Sequence, residues 1–331
     1  MSDIDESLEQ LLGKASPRPV PDSADVATAR EAVRREWHAV SGGNRSRKRM
    51  LALAVAATVL ISAFSLFNVL RMPDVDIVPV ASIQKSFGSI YLLGDQSELT
   101  RVDDLSTIHT GQIIVTGDDA GIALAWGNGG SVRLDSNTVV EFRNGSTVFL
   151  RSGQIYFDSM PVGLVTGLTV GGVGSFEIET DYGVVSHTGT QFMTQVESEE
   201  LRVSVREGRV DVAGHYYPHV VSRGEQVLFS GRQRPVVLRM STYGDAWAWV
   251  GLTAPAVDVD GQSVHAFLRW VGRELGMSVE YQDDTVERVA HDADLAGRVD
   301  TEPAEALRQR MLTAALDWRF VEGVIYVSNS H

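Results

Sequence analysis

The folding options of this chain are set first by residues 50–70, a run of 21 residues without charge, proline or glycine. A bilayer core is about 30 Å thick, so about 20 apolar helical residues cross it. Backbone in lipid has to satisfy its own hydrogen bonds, which predicts a membrane helix. Arg45, Arg47, Lys48 and Arg49 precede the run, whereas Arg71, Asp74 and Asp76 follow it. Cationic flanks stay cytoplasmic, which places residues 1–49 inside and 71–331 outside. A cleaved signal peptide fits poorly, because 49 residues come first and no small-x-small site follows at 68–72.

Charge divides along the same line. Residues 1–49 hold 9 Lys/Arg and 8 Asp/Glu, whereas 71–331 hold 20 and 35. The acidic outer part argues against nucleic-acid binding, which needs a basic patch. Cysteine is absent, which excludes disulfides, Cys-ligated zinc and thiol catalysis.

Before the membrane run, Leu8, Leu11 and Leu12 can share a helical face. Pro17, Pro19 and Pro21 then form an extended linker. From Asp25, a capping residue, Val26, Ala29, Val33, Trp37 and Val40 recur at helical spacing up to Gly42 and Gly43. This helix reads equally as a docking element anchored by Val33 and Trp37 or as a juxtamembrane helix with Arg34 and Arg35 at lipid headgroups.

Residues 71–81 read as a tether. From 82 to 240, short runs alternate apolar and polar residues with period two, among them 131–135, 139–143, 148–151, 155–158, 176–180, 191–196, 201–206 and 209–212. The pattern predicts an all-β domain, a stacked roll or sandwich, with hairpins at Asn144-Gly145 and Glu207-Gly208. Residues 241–262 read as a connector. Period 3.6 returns at Val264, Phe267, Leu268, Val271 and Leu275, with Ser263 as cap and Gly276 as stop. A strand at 279–281 follows. A helix from Thr301 and Pro303, capped by the threonine hydroxyl, carries Leu307, Met311, Ala314 and Leu316 or Ala315. A hairpin about Glu322-Gly323 closes the chain. Residues 263–331 thus read as a small α+β module, and the whole chain as a multi-domain membrane protein.

The β region carries Gly-Ser-Val-Arg-Leu at 130–134, Leu-Arg-Ser-Gly-Gln-Ile-Tyr-Phe-Asp at 150–158 and Ser-His-Thr-Gly-Thr-Gln-Phe at 186–192. Val-Ser-Val-Arg-Glu-Gly-Arg-Val at 203–210 and Val-Ser-Arg-Gly-Glu-Gln at 221–226 follow. In this order, after one helix that starts inside, they resemble the FecR family of bacterial inner-membrane sensors and anti-sigma proteins. Gly153, Phe157, Gly189, Thr190, Phe192, Gly208 and Gly224 are the structural positions of these motifs. The tail resembles the short secretin/TonB N-terminal (STN-like) module.

The resemblance implies a cytoplasmic segment that holds an extracytoplasmic-function sigma factor. It implies an outer part that receives a signal from a TonB-dependent outer-membrane receptor, often one for ferric siderophores, so that iron transport is regulated. Transmission in the family commonly involves periplasmic and intramembrane proteases. Ser62, Ser65 and Asn68 are polar residues in the second half of the membrane run, where they weaken a helix and mark a cleavage region. This chain departs from the family in having only Trp37 as tryptophan before the membrane run.

No catalytic, cofactor or metal constellation stands out in the sequence. His215 and His219 have ligand-like spacing, but Tyr216, Tyr217 and Pro218 between them predict a turn. His187 reads as a polar residue on the outer face of a strand. Asp103-Asp104, Asp118-Asp119 and Asp283-Asp284 read as solvated loops, and the glycines at 171–174 as a hairpin loop. The leading expectation is a non-enzymatic sigma-factor regulator. A periplasmic scaffold or glycan-binding protein comes second, and an envelope enzyme last.

Overall fold

The computed structural model describes residues 22–24, 26–32, 34–35, 77–94, 97–102, 105–127, 129–160, 174–312 and 316–330. The chain divides into two compact units, Met1–Asp74 and Val75–His331. In the first, the described residues from 23 to 35 are helical. Asp22 stands at its start: its carboxylate accepts from the Ala24 amide at 3.4 Å and its carbonyl from the Val26 amide at 3.1 Å. Asp25, the expected cap, lies outside the described residues. Val33, Trp37 and the run at 50–70 with Ser62, Ser65 and Asn68 lie outside the described residues. No helix among the described residues is long and apolar enough to cross a membrane.

The second unit is β-rich. Its strands are β1 (Pro79–Phe87), β2 (Ile90–Leu93), β3 (Leu99–Arg101), β4 (Thr107–His109), β5 (Ile113–Thr116), β6 (Gly121–Trp126), β7 (Ser131–Leu134) and β8 (Val139–Asn144). They continue with β9 (Thr147–Asp158), β10 (Glu177–Thr180), β11 (Gly183–Glu197), β12 (Glu200–Gly214), β13 (Pro218–Ser222), β14 (Glu225–Ser230) and β15 (Val236–Arg239). Residues 79–81, read as tether, are already sheet, and Val80 and Ala81 are buried.

Two long strands replace pairs of shorter ones, and β11 extends the one read at 191–196. β9 joins the segments read at 148–151 and 155–158, and β12 joins those at 201–206 and 209–212. Glu207-Gly208 is therefore no hairpin. It is an irregularity inside β12, opposite one in β11 between Thr188 and Gln191. Gly153, Gly189 and Gly208 have φ of 90°, 59° and 75°, values that L side chains rarely adopt, so each strand turns there without ending. The first half of β9 pairs with β8 and its second half with β7 and β11. β12 likewise pairs with β14 through 200–204 and with β13 through 209–213. One sheet thus folds over itself into two layers.

Between the layers lies a single apolar core that includes Val140, Phe142, Ile178 and Val210 from one and Leu134, Phe157, Phe192 and Val203 from the other. Phe157 stacks on Phe176 at 4.3 Å between centroids. The hairpin after Asn144 forms as expected, with the Asn144 side chain accepting from the Ser146 amide at 2.8 Å.

The β11–β12 hairpin turns on Ser198 and Glu199, at φ 50° and 64°. A two-residue turn of this kind prefers Asn-Gly because both positions need positive φ. Glu199→Gly therefore raises stability by about 1 kcal/mol, and Glu199→Ala changes it by less than about 0.5 kcal/mol. Gly189→Val costs about 2 kcal/mol through φ alone, since a Cβ there meets nothing within 4 Å. Thermal melting of the three variants checks the order; equal melting temperatures would refute it.

After β15, α1 (Ala248–Leu252) leads to β16 (Val257–Asp258) and α2 (Val264–Leu275). α2 has the expected ends: the Ser263 hydroxyl accepts from the Ala266 amide, and Gly276 takes the left-handed conformation at φ 69°. β17 (Ser278–Tyr281), α3 (Asp284–Asp292), β18 (Arg298–Val299), α4 (Pro303–Met311), β19 (Leu316–Val321) and β20 (Val324–Asn329) complete the chain. α3 was not expected. Asp283 caps it through the Thr285 and Val286 amides, so the acid pair read as a loop is a helix start. α4 begins at Pro303 without a side-chain cap, which corrects the role given to Thr301, and Leu316 belongs to β19 rather than to the helix. β19 and β20 join through Glu322 and Gly323, both at positive φ, as the sequence predicts. β20 lies between β17 and β19, and a second core includes Phe267, Leu268, Val271, Leu307 and Ile325.

Candidate functional site

The sheet's β7–β9–β11–β12 layer is covered on its outer side by α1 and α2, and charge decides how they meet. β7 sends Val132 and Leu134 into the inter-layer core, so its alternate residue Arg133 points the other way. That face is not solvent. Arg133 is fully buried, and its guanidinium donates to both Glu274 carboxylate oxygens at 2.7 and 2.8 Å and to the Val250 carbonyl at 2.7 Å. Burial opposes its charge, but Glu274, joined by Tyr156 and Asp158, more than offsets burial and raises its pKa. Glu274 lies in the last turn of α2 and Val250 in α1, so one arginine ties two helices to the sheet.

Arg206, from β12, is buried beside it. Its Nε donates to the Thr242 carbonyl at 2.8 Å and its Nη1 to the Glu274 carbonyl at 3.0 Å. It stands 4.4 Å from the Trp247 ring. Burial lowers its pKa. Tyr156, Met193, Trp247 and Val250 form a small apolar cluster around these ions. Burial raises the Tyr156 pKa, with Asp158 adding to the shift.

A second ion set borders the first. Asp158, at the end of β9, accepts from Arg273 Nε at 3.1 Å, Arg273 Nη2 at 2.5 Å and Gln191 Nε2 at 2.7 Å. Arg273 also donates to Glu207 of β12 at 2.5 Å. Burial works against the Arg273 charge, and Asp158 and then Glu207 overcome it, so its pKa is raised. Gly276 is needed next to both sets, because a Cβ there would lie 1.9 Å from the Thr242 carbonyl and 2.6 Å from Arg206 Nε.

Below this joint opens a cleft of about 560 Å³, lined by Arg206, Arg223, Arg269 and Arg273 among others. His265 and Glu287 stand in the same cleft. His265 Nδ1 lies 2.9 Å from the Tyr281 hydroxyl, and its ring stacks on His291 at 3.8 Å. Burial, then His291 and Arg269, lower the His265 pKa, whereas Glu287 raises it.

The motif residues serve the fold. Phe157, Thr190 and Phe192 are buried. A Cβ on Gly153 would meet Thr138 at 2.4 Å, and Gly224 turns β13 into β14 at φ 76°. Sequence reading missed Arg133, Arg206, Asp158, Arg273 and Glu274, because alternation alone assigns the polar face to water. The three sheet residues, Arg133, Asp158 and Arg206, all fall within the motifs quoted above. His215 is exposed and His219 half-buried, in and after the β12–β13 turn.

His187 differs from its reading. Its ring packs on Phe157 at 4.5 Å between centroids, and neither ring nitrogen has a partner among the described residues. Burial lowers its pKa. The folded state therefore resists a proton that the unfolded chain accepts near pH 6.5. The contribution is constant above that pH, and stability falls as pH drops below it. His187→Leu flattens this dependence. Denaturant midpoints between pH 7.5 and 5 check it, and an unchanged slope would count against a neutral buried ring.

Comparison with known proteins bears on the same segment. Residues 112–211 match the family model for FecR protein, which ends before α1. Two crystal structures of a candidate anti-sigma factor from Parabacteroides distasonis ATCC 8503, at 1.65 and 2.50 Å resolution, align with the chain. Each is 17% identical, covers 66% of this chain and 99% of its own, and gives TM-scores of 0.33 and 0.32 respectively. No curated protein matches. The resemblance of the β region to the FecR family accordingly stands over residues 112–211, the segment that supplies Arg133, Asp158, Gln191 and Arg206.

Proposed function

We propose that this chain is a single-pass regulator of the bacterial inner membrane that controls an extracytoplasmic-function sigma factor by contact, without catalysis. The observation that carries the reading is the FecR match at 112–211 downstream of the uncharged run at 50–70. The N-terminal helix around Val33 and Trp37 docks on the sigma factor inside the cell. Residues 71–331 lie in the periplasm and receive a signal from a TonB-dependent receptor of the ferric-siderophore type. The STN-like tail takes the receptor's strand by β-addition, a reading supported by β17 and β19, which lie at the edges of their three-stranded sheet. Proteases, ending at the Ser62–Ser65–Asn68 region, then release the cytoplasmic segment.

Trp37→Ala weakens sigma-factor binding by about 2 kcal/mol or more, as at interface hot spots, and leaves the melting of the outer unit unchanged. Removal of 71–331 uncouples target genes from the signal. Sigma-factor pull-down with a target-promoter reporter, for wild type and both variants, tests this. Identical behaviour of all three, with and without signal, would favour the scaffold reading.

A further inference from the structure

The structure assigns a divalent transition-metal site to His265, Glu287 and His291. One ligand atom from each lies within 4.8 Å of the other two. The site is built by two helices. Glu287 and His291 are four residues apart on α3 and so share one face, and His265 comes from the first turn of α2. Two imidazoles with one carboxylate suit zinc and its first-row neighbours, and they leave a fourth position open.

The partner of His265 supports the assignment. With Nδ1 of His265 held by the Tyr281 hydroxyl at 2.9 Å, Nε2 is the nitrogen left to bind a cation. Such a partner fixes ring orientation in metal sites. His291 is exposed, so its ring is free to leave the stack and bring the three ligand atoms to the separation of about 3.4 Å that a tetrahedral ion with bonds near 2.1 Å needs. His265 and Glu287 border the cleft that holds Arg223, Arg269 and Arg273. The arginines of that cleft suit an anion as the fourth ligand, completing the coordination sphere. The metal would bind α3 to the first turn of α2, at the end opposite Arg273 and Glu274.

The probe is Zn²⁺ alone, titrated calorimetrically into the full-length chain, with melting recorded with and without the metal. Wild type binds one equivalent and melts higher with zinc. His291→Ala and Glu287→Gln each weaken binding more than tenfold and abolish the zinc-induced shift, while their zinc-free melting stays near wild type because His291 is exposed and Glu287→Gln keeps the shape of a half-buried side chain. Tyr281→Phe weakens binding by about tenfold. His219→Ala, outside the site, binds as wild type. No stoichiometric binding, wild-type affinity in His291→Ala, or loss of binding in His219→Ala would each overturn the assignment.

Discussion

Glu274→Ala lowers the stability of the Val75–His331 unit by about 3–5 kcal/mol, the cost of leaving a buried charge without its partner. Arg133 has no route to water: it is 2% exposed and enclosed by Tyr156, Val250 and α2. Removing the carboxylate also removes two of its three hydrogen bonds. The double variant Arg133→Met with Glu274→Leu recovers most of the loss, because well-packed apolar replacements of buried ion pairs are often neutral. Chemical denaturation of wild type, Glu274→Ala and the double variant measures both effects. A single-variant loss below about 1 kcal/mol would mean that water reaches the guanidinium.

Gly208→Val is the second large effect, a loss of about 3 kcal/mol. A non-glycine residue held at such a φ costs about 1–3 kcal/mol. Here the new Cβ would also lie 2.6 Å from the Gly189 carbonyl and 2.7 Å from Thr190. Backbone on the neighbouring strand has to move, and it carries the turn of β11. Gly231→Val is the control, at φ 52° but with nothing within 4 Å of its Cβ. Equal costs for the two would show that φ rather than the close approach sets the penalty.

The glycines explain what was legible in the sequence. α2 was readable to its ends because five apolar residues kept one period and Ser263 and Gly276 carry unambiguous capping chemistry. The closing hairpin was readable from Glu322-Gly323 for the same local reason. β9 and β12 were cut too short because glycine inside a bent strand and glycine in a hairpin leave the same mark in sequence. α3 was lost because only Val286 and Ala290 face the core, which is too little for a periodic signal. With it went the relation between Glu287 and His291. The ion joint was illegible for a deeper reason. Alternation tells which face of a strand is polar, but not whether a later segment returns to cover it.

That cover also decides what happens on uncovering. The faces that α1, α2 and the sheet present to each other carry Arg133, Arg206, Asp158, Arg273 and Glu274, with Tyr156, Met193, Trp247 and Val250 as their apolar share. Surfaces parted along this plane return ions to water, where they hydrate well, and expose little oily area to recruit stray partners. Closing again demands that Arg133 find Glu274 and Arg273 find Asp158, so a shifted or rotated helix is rejected. The joint is therefore selective when shut, and its faces would be well solvated if it opened.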